Sequence, residues 1–205
     1  MKTENFIPEG SKKIGLMVSG GLDSALLLYL LTKEIKDKNI TVDFETYSVR
    51  QDNRSSLAHS KNVIDTIERL NGVSIKNTVF WDPEAHSDYE ILFGVMGALN
   101  KEHKTGTMLN VLFMATTSVP EELANLEGAP YRNRKSTFAV EQPWGDVSKD
   151  NIVKYIKEHN LQILIEHSLS CTRSKSTHCG QCWNCKERKW ALDLNNLTEL
   201  YKEIL

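Results

Sequence analysis

Ile14-Gly15-Leu16-Met17-Val18-Ser19-Gly20-Gly21-Leu22-Asp23-Ser24-Ala25-Leu26-Leu27-Leu28 decides the fold of this chain. The first five residues form a short apolar run, bounded as a buried strand would be. A second apolar run, Ala25 to Leu31, continues at helical length to about Lys36. Between them lies a strand–loop–helix corner, the place where a parallel α/β sheet puts its phosphate site. Gly20 and Gly21 let backbone approach a ligand closely. The free N–H groups of a helix start, with the macrodipole, attract an anion. Ser19 and Ser24 add hydroxyls. Asp23 would repel a bare phosphate, so it suits a site where Mg²⁺ or the loop's own N–H groups absorb its charge. Taken singly, these residues read as a turn and a helix cap. Taken in order, between a strand and an apolar helix, they read as a phosphate loop. No Gly-Lys-Ser/Thr follows, so it is not a Walker A motif.

Working outward, Thr41 to Val49 alternates as a second strand, and a helix from Ser55 or Ser56 to Leu70 ends at Asn71-Gly72. Val73 to Phe80 reads as a third strand, so the order β-α-β-α-β implies right-handed crossovers and a parallel sheet. A helix over Tyr89 to Glu102 and a short buried strand, Val111 to Ala115, follow. Thr116 to Tyr131 carries two prolines and a glycine and reads as a mobile loop over a site. Ser148 caps a helix over Lys149 to His159. Residues 1–13 read as a polar lead-in, and Leu197, Leu200, Tyr201, Ile204 and Leu205 as one stripe of a C-terminal helix.

The 205 residues suffice for one α/β domain with a small appendage. A net charge of −2 and a pI of about 6.3 give no bulk electrostatic case for nucleic-acid binding. No run is apolar enough to span a membrane, and the first residues lack a signal-peptide core. A cytoplasmic protein is expected.

All four cysteines fall in Cys171-x7-Cys179-x2-Cys182-x2-Cys185. In a reducing compartment this density matches a closed tetrahedral Cys₄ zinc site. An iron–sulfur cluster is the rival, since four cysteines also hold one. Clusters that act on substrates usually leave one iron without a protein ligand, and here no cysteine is spare, which favours structural zinc. It also leaves no cysteine to carry sulfur, and so points to a nitrogen nucleophile. His178 reads as a bystander.

Ser19-Gly20-Gly21-Leu22-Asp23-Ser24 resembles the loop of the N-type ATP pyrophosphatases (PP-loop enzymes), which cleave ATP between its α- and β-phosphates. With Ser170-Cys171 and Cys179-Gly180-Gln181-Cys182-Trp183-Asn184-Cys185-Lys186-Glu187-Arg188, the chain is similar to the 7-cyano-7-deazaguanine (preQ0) synthase family. Gln142 to Lys149 is similar to the family's segment ending in Thr-Lys. The resemblance implies a doubly wound, mostly parallel α/β sheet of the adenine nucleotide alpha hydrolase-like type. It implies a PP-loop domain over residues 1–165 and a zinc-binding segment over 166–205 packed on it. It implies ATP bound by Val18, Ser19, Gly20, Gly21, Leu22, Asp23, Ser24 and Arg132, with Mg²⁺; activation by Asp23, Ser24 and Lys149; and Zn²⁺ on Cys171, Cys179, Cys182 and Cys185. The implied substrates are 7-carboxy-7-deazaguanine and ammonia, in queuosine and 7-deazaguanine biosynthesis, with no stable nucleic-acid partner and a tendency to dimerise. The chain departs from the family at Tyr47 to Asn53 and Ala129 to Arg134, on the substrate side. The runner-up is therefore a related adenylating ligase that couples an activated base or acid to a protein or nucleic-acid amine. A non-catalytic zinc-knuckle module would have no use for the loop.

Overall fold

A computed structural model describes residues 1–49, 56–80, 109–126, 140–171, 173–174 and 176–201. Its centre is a parallel five-stranded sheet in the order β3-β2-β1-β4-β5. The strands are β1 (Lys13–Met17), β2 (Asp43–Val49), β3 (Lys76–Phe80), β4 (Val111–Met114) and β5 (Val140–Glu141). Helices α1 (Leu22–Asp37) and α2 (Ser56–Asn71) follow β1 and β2. After β4 come α3 (Glu121–Ala124), α4 (Lys149–Glu158), α5 (Ile163–His167) and α6 (Trp183–Leu194), then a 3₁₀ turn, Thr198–Leu200. The expected helix over Tyr89 to Glu102 lies outside the described residues, as do Arg50 to Ser55 and residues 127–139.

The core follows from strand alternation. Ile14 and Leu16 of β1 and Phe113 of β4 face one side of the sheet and are sealed there by α1, α2, α4, α5 and α6. Helix α1 is buried on most of its circumference because it packs on α2, α4 and α5 as well as on the sheet. That explains its nearly continuous leucines, which a surface helix would not carry. Among the described residues the four long helices stop in one way. Asn39, Gly72, Asn160 and Asn196 take positive φ just past α1, α2, α4 and α6. The following apolar residue, Ile40, Val73, Leu161 or Leu197, returns its N–H to a carbonyl of the last turn.

Two expectations change. The first residues are a packed strap: Phe6 is buried, its N–H bonds Glu34 Oε2 at 2.9 Å, and Trp144 Nε1 donates to the Lys2 carbonyl at 2.8 Å. The described C-terminal helix is α6, which ends at Leu194; Asn196 at φ 53° cannot continue it, and Leu200 sits in the 3₁₀ turn. Residues 202–205 lie outside the described residues.

On the sheet's second face, Gly15 makes room for Tyr47, since a Cβ there would come 2.5 Å from the ring. Gly15→Ala should overpack this site and cost about 1–3 kcal/mol in denaturant unfolding. On the same face Glu45 gathers Lys13 at 3.3 Å, Lys76 at 3.1 Å and the Thr78 hydroxyl. Burial pulls the carboxyl's pKa up, but Thr78 and the two ammoniums outweigh it, and the net shift is downward. A carboxyl depressed in the folded state adds stability above its unfolded pKa and loses it as pH falls through the folded value. Glu45→Gln should therefore destabilise at neutral pH, and the difference from the parent should vanish in acid.

Candidate active site and cysteine cluster

Strand β1 pairs with β4 on one side and feeds β2 on the other, so the C-terminal end of β1 is the point where the sheet's winding reverses. The Ser19–Ser24 loop sits there. Val18 is buried and extends the strand, its N–H on the Tyr47 carbonyl at 2.8 Å. Gly20 has φ 81°, and a Cβ on it would lie 2.6–2.7 Å from Cβ and backbone atoms of His59 and Ser60. No other residue type combines that conformation with that approach to α2. Gly21 caps α1, and Leu22 anchors the helix start in the core. Ser24 donates to the Gly21 carbonyl at 3.0 Å and lies 3.3 Å from Ser19 Oγ, so the two hydroxyls line one side of the loop. The first-turn amides of α1 have no helical acceptor of their own.

Asp23 points from α1 toward Lys149 at the first position of α4, with Lys149 Nζ 3.2 Å from Asp23 Oδ2. Lys149 is buried and also bonds Glu187 Oε2 of α6 at 2.7 Å; the Glu187 side chain is 0% exposed. Thr117, just after β4, sends its hydroxyl toward Asp23 Oδ2 at 3.5 Å. Ser148 holds the N-cap position of α4, but its hydroxyl turns to Asp150 instead of capping the helix amides. Arg188, next to Glu187, is fully buried. It bonds Ser168 Oγ at 3.1 Å, Ser170 Oγ at 3.4 Å and the Ile165 carbonyl. Burial lowers its guanidinium to about 10, against the pull of Asp23, so it stays charged at neutral pH. Arg132 and Arg134 lie outside the described residues.

The segment held by Arg188 reaches the loop itself. Leu169 N–H donates to the Gly20 carbonyl at 2.9 Å, and Cys171 follows two residues later. The sulfurs of Cys171, Cys179, Cys182 and Cys185 all lie within 4.8 Å of one another. They form no disulfide. The cluster fits a metal. Cys171 Sγ accepts the N–H groups of Arg173 and Ser174, Cys179 Sγ accepts that of Cys182, and Cys182 caps α6. Burial raises the Cys185 thiol pKa, so a thiolate there needs a neighbouring cation. His178 stacks on Tyr201 with ring centroids 4.9 Å apart, and burial, then Arg188, lowers its pKa to about 3. It is neutral, with Nδ1 3.6 Å from Cys185 Sγ.

Thr117, Ser168 and Glu187 were not among the site residues expected from sequence. A signal for Glu187 existed: with Arg188 it occupies the helical stripe that continues in buried Ala191 and Leu192, where charge is out of place unless paired. Lys149 begins the stripe Ile152, Val153 and Ile156 in the same way.

The family model described as queuosine biosynthesis protein QueC matches residues 113–196, from β4 through the cysteine cluster and α6. Over these residues the chain is similar to that family. Among curated proteins it is 38% identical over 60 residues to the 7-cyano-7-deazaguanine synthase of Methanosphaera stadtmanae, covering 29% of this chain and 26% of that one. It is 36% identical over 75 residues to the NH₃-dependent NAD⁺ synthetase of Fusobacterium nucleatum, covering 37% of this chain and 28% of that one. The matches thus span about a quarter of the length of these relatives. Among solved structures, the U34-tRNA thiolase NcsA of Methanococcus maripaludis, with its [4Fe-4S] cluster, superposes with a TM-score of 0.51 at 13% identity, covering 96% of this chain and 70% of that one. That likeness shows the fold. The four cysteines are a group that could hold a metal ion. No described helix is long and apolar enough to cross a membrane.

If the four thiolates hold a metal, its binding is part of folding. Chelation and Cys182→Ser should each lower the melting temperature, and chelation should add little to the Cys182→Ser variant.

Proposed function

We propose that this chain adenylates 7-carboxy-7-deazaguanine with ATP and converts it, with ammonia, to 7-cyano-7-deazaguanine. The observation that carries this reading is the junction of loop and cysteine segment at the Leu169–Gly20 hydrogen bond of 2.9 Å. It joins the two sequence features of the preQ0 synthase resemblance in one site.

A carboxylate is a poor electrophile because its oxygen leaves badly. Attack of that oxygen on the α-phosphorus of ATP releases pyrophosphate and makes an acyl adenylate. Ammonia adds to the acyl carbon, AMP departs with the former carboxylate oxygen, and an amide remains. A second ATP adenylates the amide oxygen; loss of AMP and a proton leaves the nitrile. The protein's share is positioning and charge compensation. Ser19, Ser24 and the amides from Gly21 onward would hold the departing pyrophosphate, with Lys149 and Arg132 on phosphate oxygens. Asp23 would hold Mg²⁺, whose charge eases departure of pyrophosphate. One carboxylate plus phosphates is a usual Mg²⁺ ligand set.

For the cysteines the reading is one structural Zn²⁺. Zn–S bonds of about 2.3 Å in a tetrahedron place sulfurs about 3.8 Å apart; here all four Sγ atoms lie within 4.8 Å of one another, Cys179 and Cys185 at 4.0 Å. A four-iron cluster puts each thiolate on a different iron and spreads them wider. All four cysteines are then engaged, which leaves the nucleophile to an external amine. Metal analysis should find about one zinc per chain, as a closed Cys₄ site requires; iron with sulfide would reopen sulfur transfer.

The test is incubation with ATP, Mg²⁺, ammonium and 7-carboxy-7-deazaguanine, followed by mass spectrometry. Nitrile, AMP and pyrophosphate are expected. AMP release that requires a protein or nucleic-acid amine selects the related ligase reading, and ADP with phosphate overturns both. Ser24→Ala removes one hydrogen bond to a charged oxygen, worth roughly 1.5–3 kcal/mol, and should lower kcat/KM for ATP about 10–150-fold. Asp23→Asn should cost more, with partial recovery in excess Mg²⁺.

A further inference from the structure

We propose that Ser170 is a direct ligand of the pyrophosphate moiety, a hydroxyl that the cysteine segment adds to the Ser19–Ser24 loop. This rests on the reading of that loop as a nucleotide site. Gly21 shows the space. Its φ of −81° and ψ of 166° are extended backbone open to any residue. A Cβ on it would sit 3.4 Å from Ser19 Oγ and 3.8 Å from Ser170 Oγ, both ordinary contact distances. Gly20 needs its glycine for the fold; Gly21 does not. Its missing side chain leaves a nook at the N-cap of α1, flanked by one hydroxyl from the loop and one from far along the chain. Ser19 is exposed, and Gly21 and Ser170 are partly so, which opens the nook to solvent.

The hydroxyls around this nook are engaged differently. Ser24 gives its proton to the Gly21 carbonyl at 3.0 Å. Ser19 accepts the Gly21 N–H at 3.3 Å and lies 3.3 Å from Ser24 Oγ, to which it can donate. Ser170 is used as an acceptor: Arg188 Nη1 donates to its Oγ at 3.4 Å, and among the described residues nothing takes the Ser170 proton. A hydrogen bond received from a guanidinium polarises the hydroxyl and strengthens the one it donates. The position of Ser170 is also fixed. Leu169 N–H bonds the Gly20 carbonyl at 2.9 Å, and Arg188, 1% exposed, holds Ser168 Oγ at 3.1 Å and the Ile165 carbonyl. A phosphate oxygen in the nook thus meets a preset donor with a buried cation behind it.

Calorimetric titration of the chain, purified without chelator, with pyrophosphate and with AMP in excess Mg²⁺ tests this; melting temperatures are recorded alongside. Ser170→Ala should bind pyrophosphate about tenfold or more weakly, the usual weight of one hydrogen bond to a charged group. AMP lacks the β- and γ-phosphates, so its affinity should stay within about twofold of the parent's, too small a change for a lost hydrogen bond. Ser170→Thr keeps the hydroxyl and should recover most of the loss. Gly21→Ala should stay folded and lose pyrophosphate binding, because its methyl fills the nook. Ser170→Ala with the parent's pyrophosphate affinity overturns the proposal. So does a variant that loses both ligands alike and melts lower, the mark of a merely structural role. If Ser170→Ala does not fold, Gly21→Ala decides, and undiminished pyrophosphate affinity there overturns it. Pyrophosphate binding by the parent with any of those results leaves the nucleotide site standing and removes only this inference. A parent that binds neither pyrophosphate nor ATP removes both.

Discussion

An ammonium buried between two carboxylates ties together three stretches far apart in the chain. Asp23 comes from the first turn of α1, Lys149 from the start of α4 and Glu187 from the second turn of α6. Each ion costs several kcal/mol to desolvate, and such a pair often does no better than apolar residues of the same volume. Stability alone therefore does not account for it. What the network achieves is placement. Lys149 cannot leave without breaking its contacts to both carboxylates, and α6 cannot turn without moving Glu187. Arg188 adds a second tie, because its fully buried guanidinium spans Ser168, Ser170 and the Ile165 carbonyl. Residues 165–170 are thereby pressed onto the Ser19–Ser24 loop.

The sheet decides where this happens. With β1 between β2 and β4, the chain leaves β1 in one direction and returns through β4 from the other, so the C-terminal ends of the two strands open a crevice. The loop, Thr117 and the start of α4 all gather at that crevice. The remaining helices close the apolar side of the sheet with α1 at their centre. Gly20 sets how closely α2 approaches: its missing side chain allows contact with the backbone of His59 and Ser60.

Much of this was legible in the sequence, and for stated reasons. The β1 run, the Gly-Gly corner and the leucines of α1 are local signals, and their boundaries held to within a residue or two. The cysteine spacing foretold a cluster because short x2 steps force sulfurs together. The role of the first residues was not legible, since one phenylalanine in a polar stretch carries no period; tertiary contacts, Phe6 with Glu34 and Lys2 with Trp144, show it. Nor was the end of the chain. Its apolar stripe has helical spacing, but Asn195-Asn196 intervenes: Asn196 takes positive φ, and the Asn195 amide bonds the Ala191 and Asp150 carbonyls. Glu187 was visible as a residue and silent as a partner, because an ion pair across 38 positions leaves no trace in local pattern.

The position of the cysteines gives the last link. Cys182 is the N-cap of α6 and Cys185 lies in its first turn, two residues before Glu187 and three before Arg188. An ion on these thiolates would fix the start of the helix, where a helix otherwise frays. The 3₁₀ turn braces the same place, since the Tyr201 hydroxyl donates to the Cys185 carbonyl at 3.3 Å and its ring stacks on His178. A metal with no part in the chemistry would then still matter to it. It would stiffen the first turn of α6, that turn sets Glu187, and Glu187 sets the ammonium that faces Asp23.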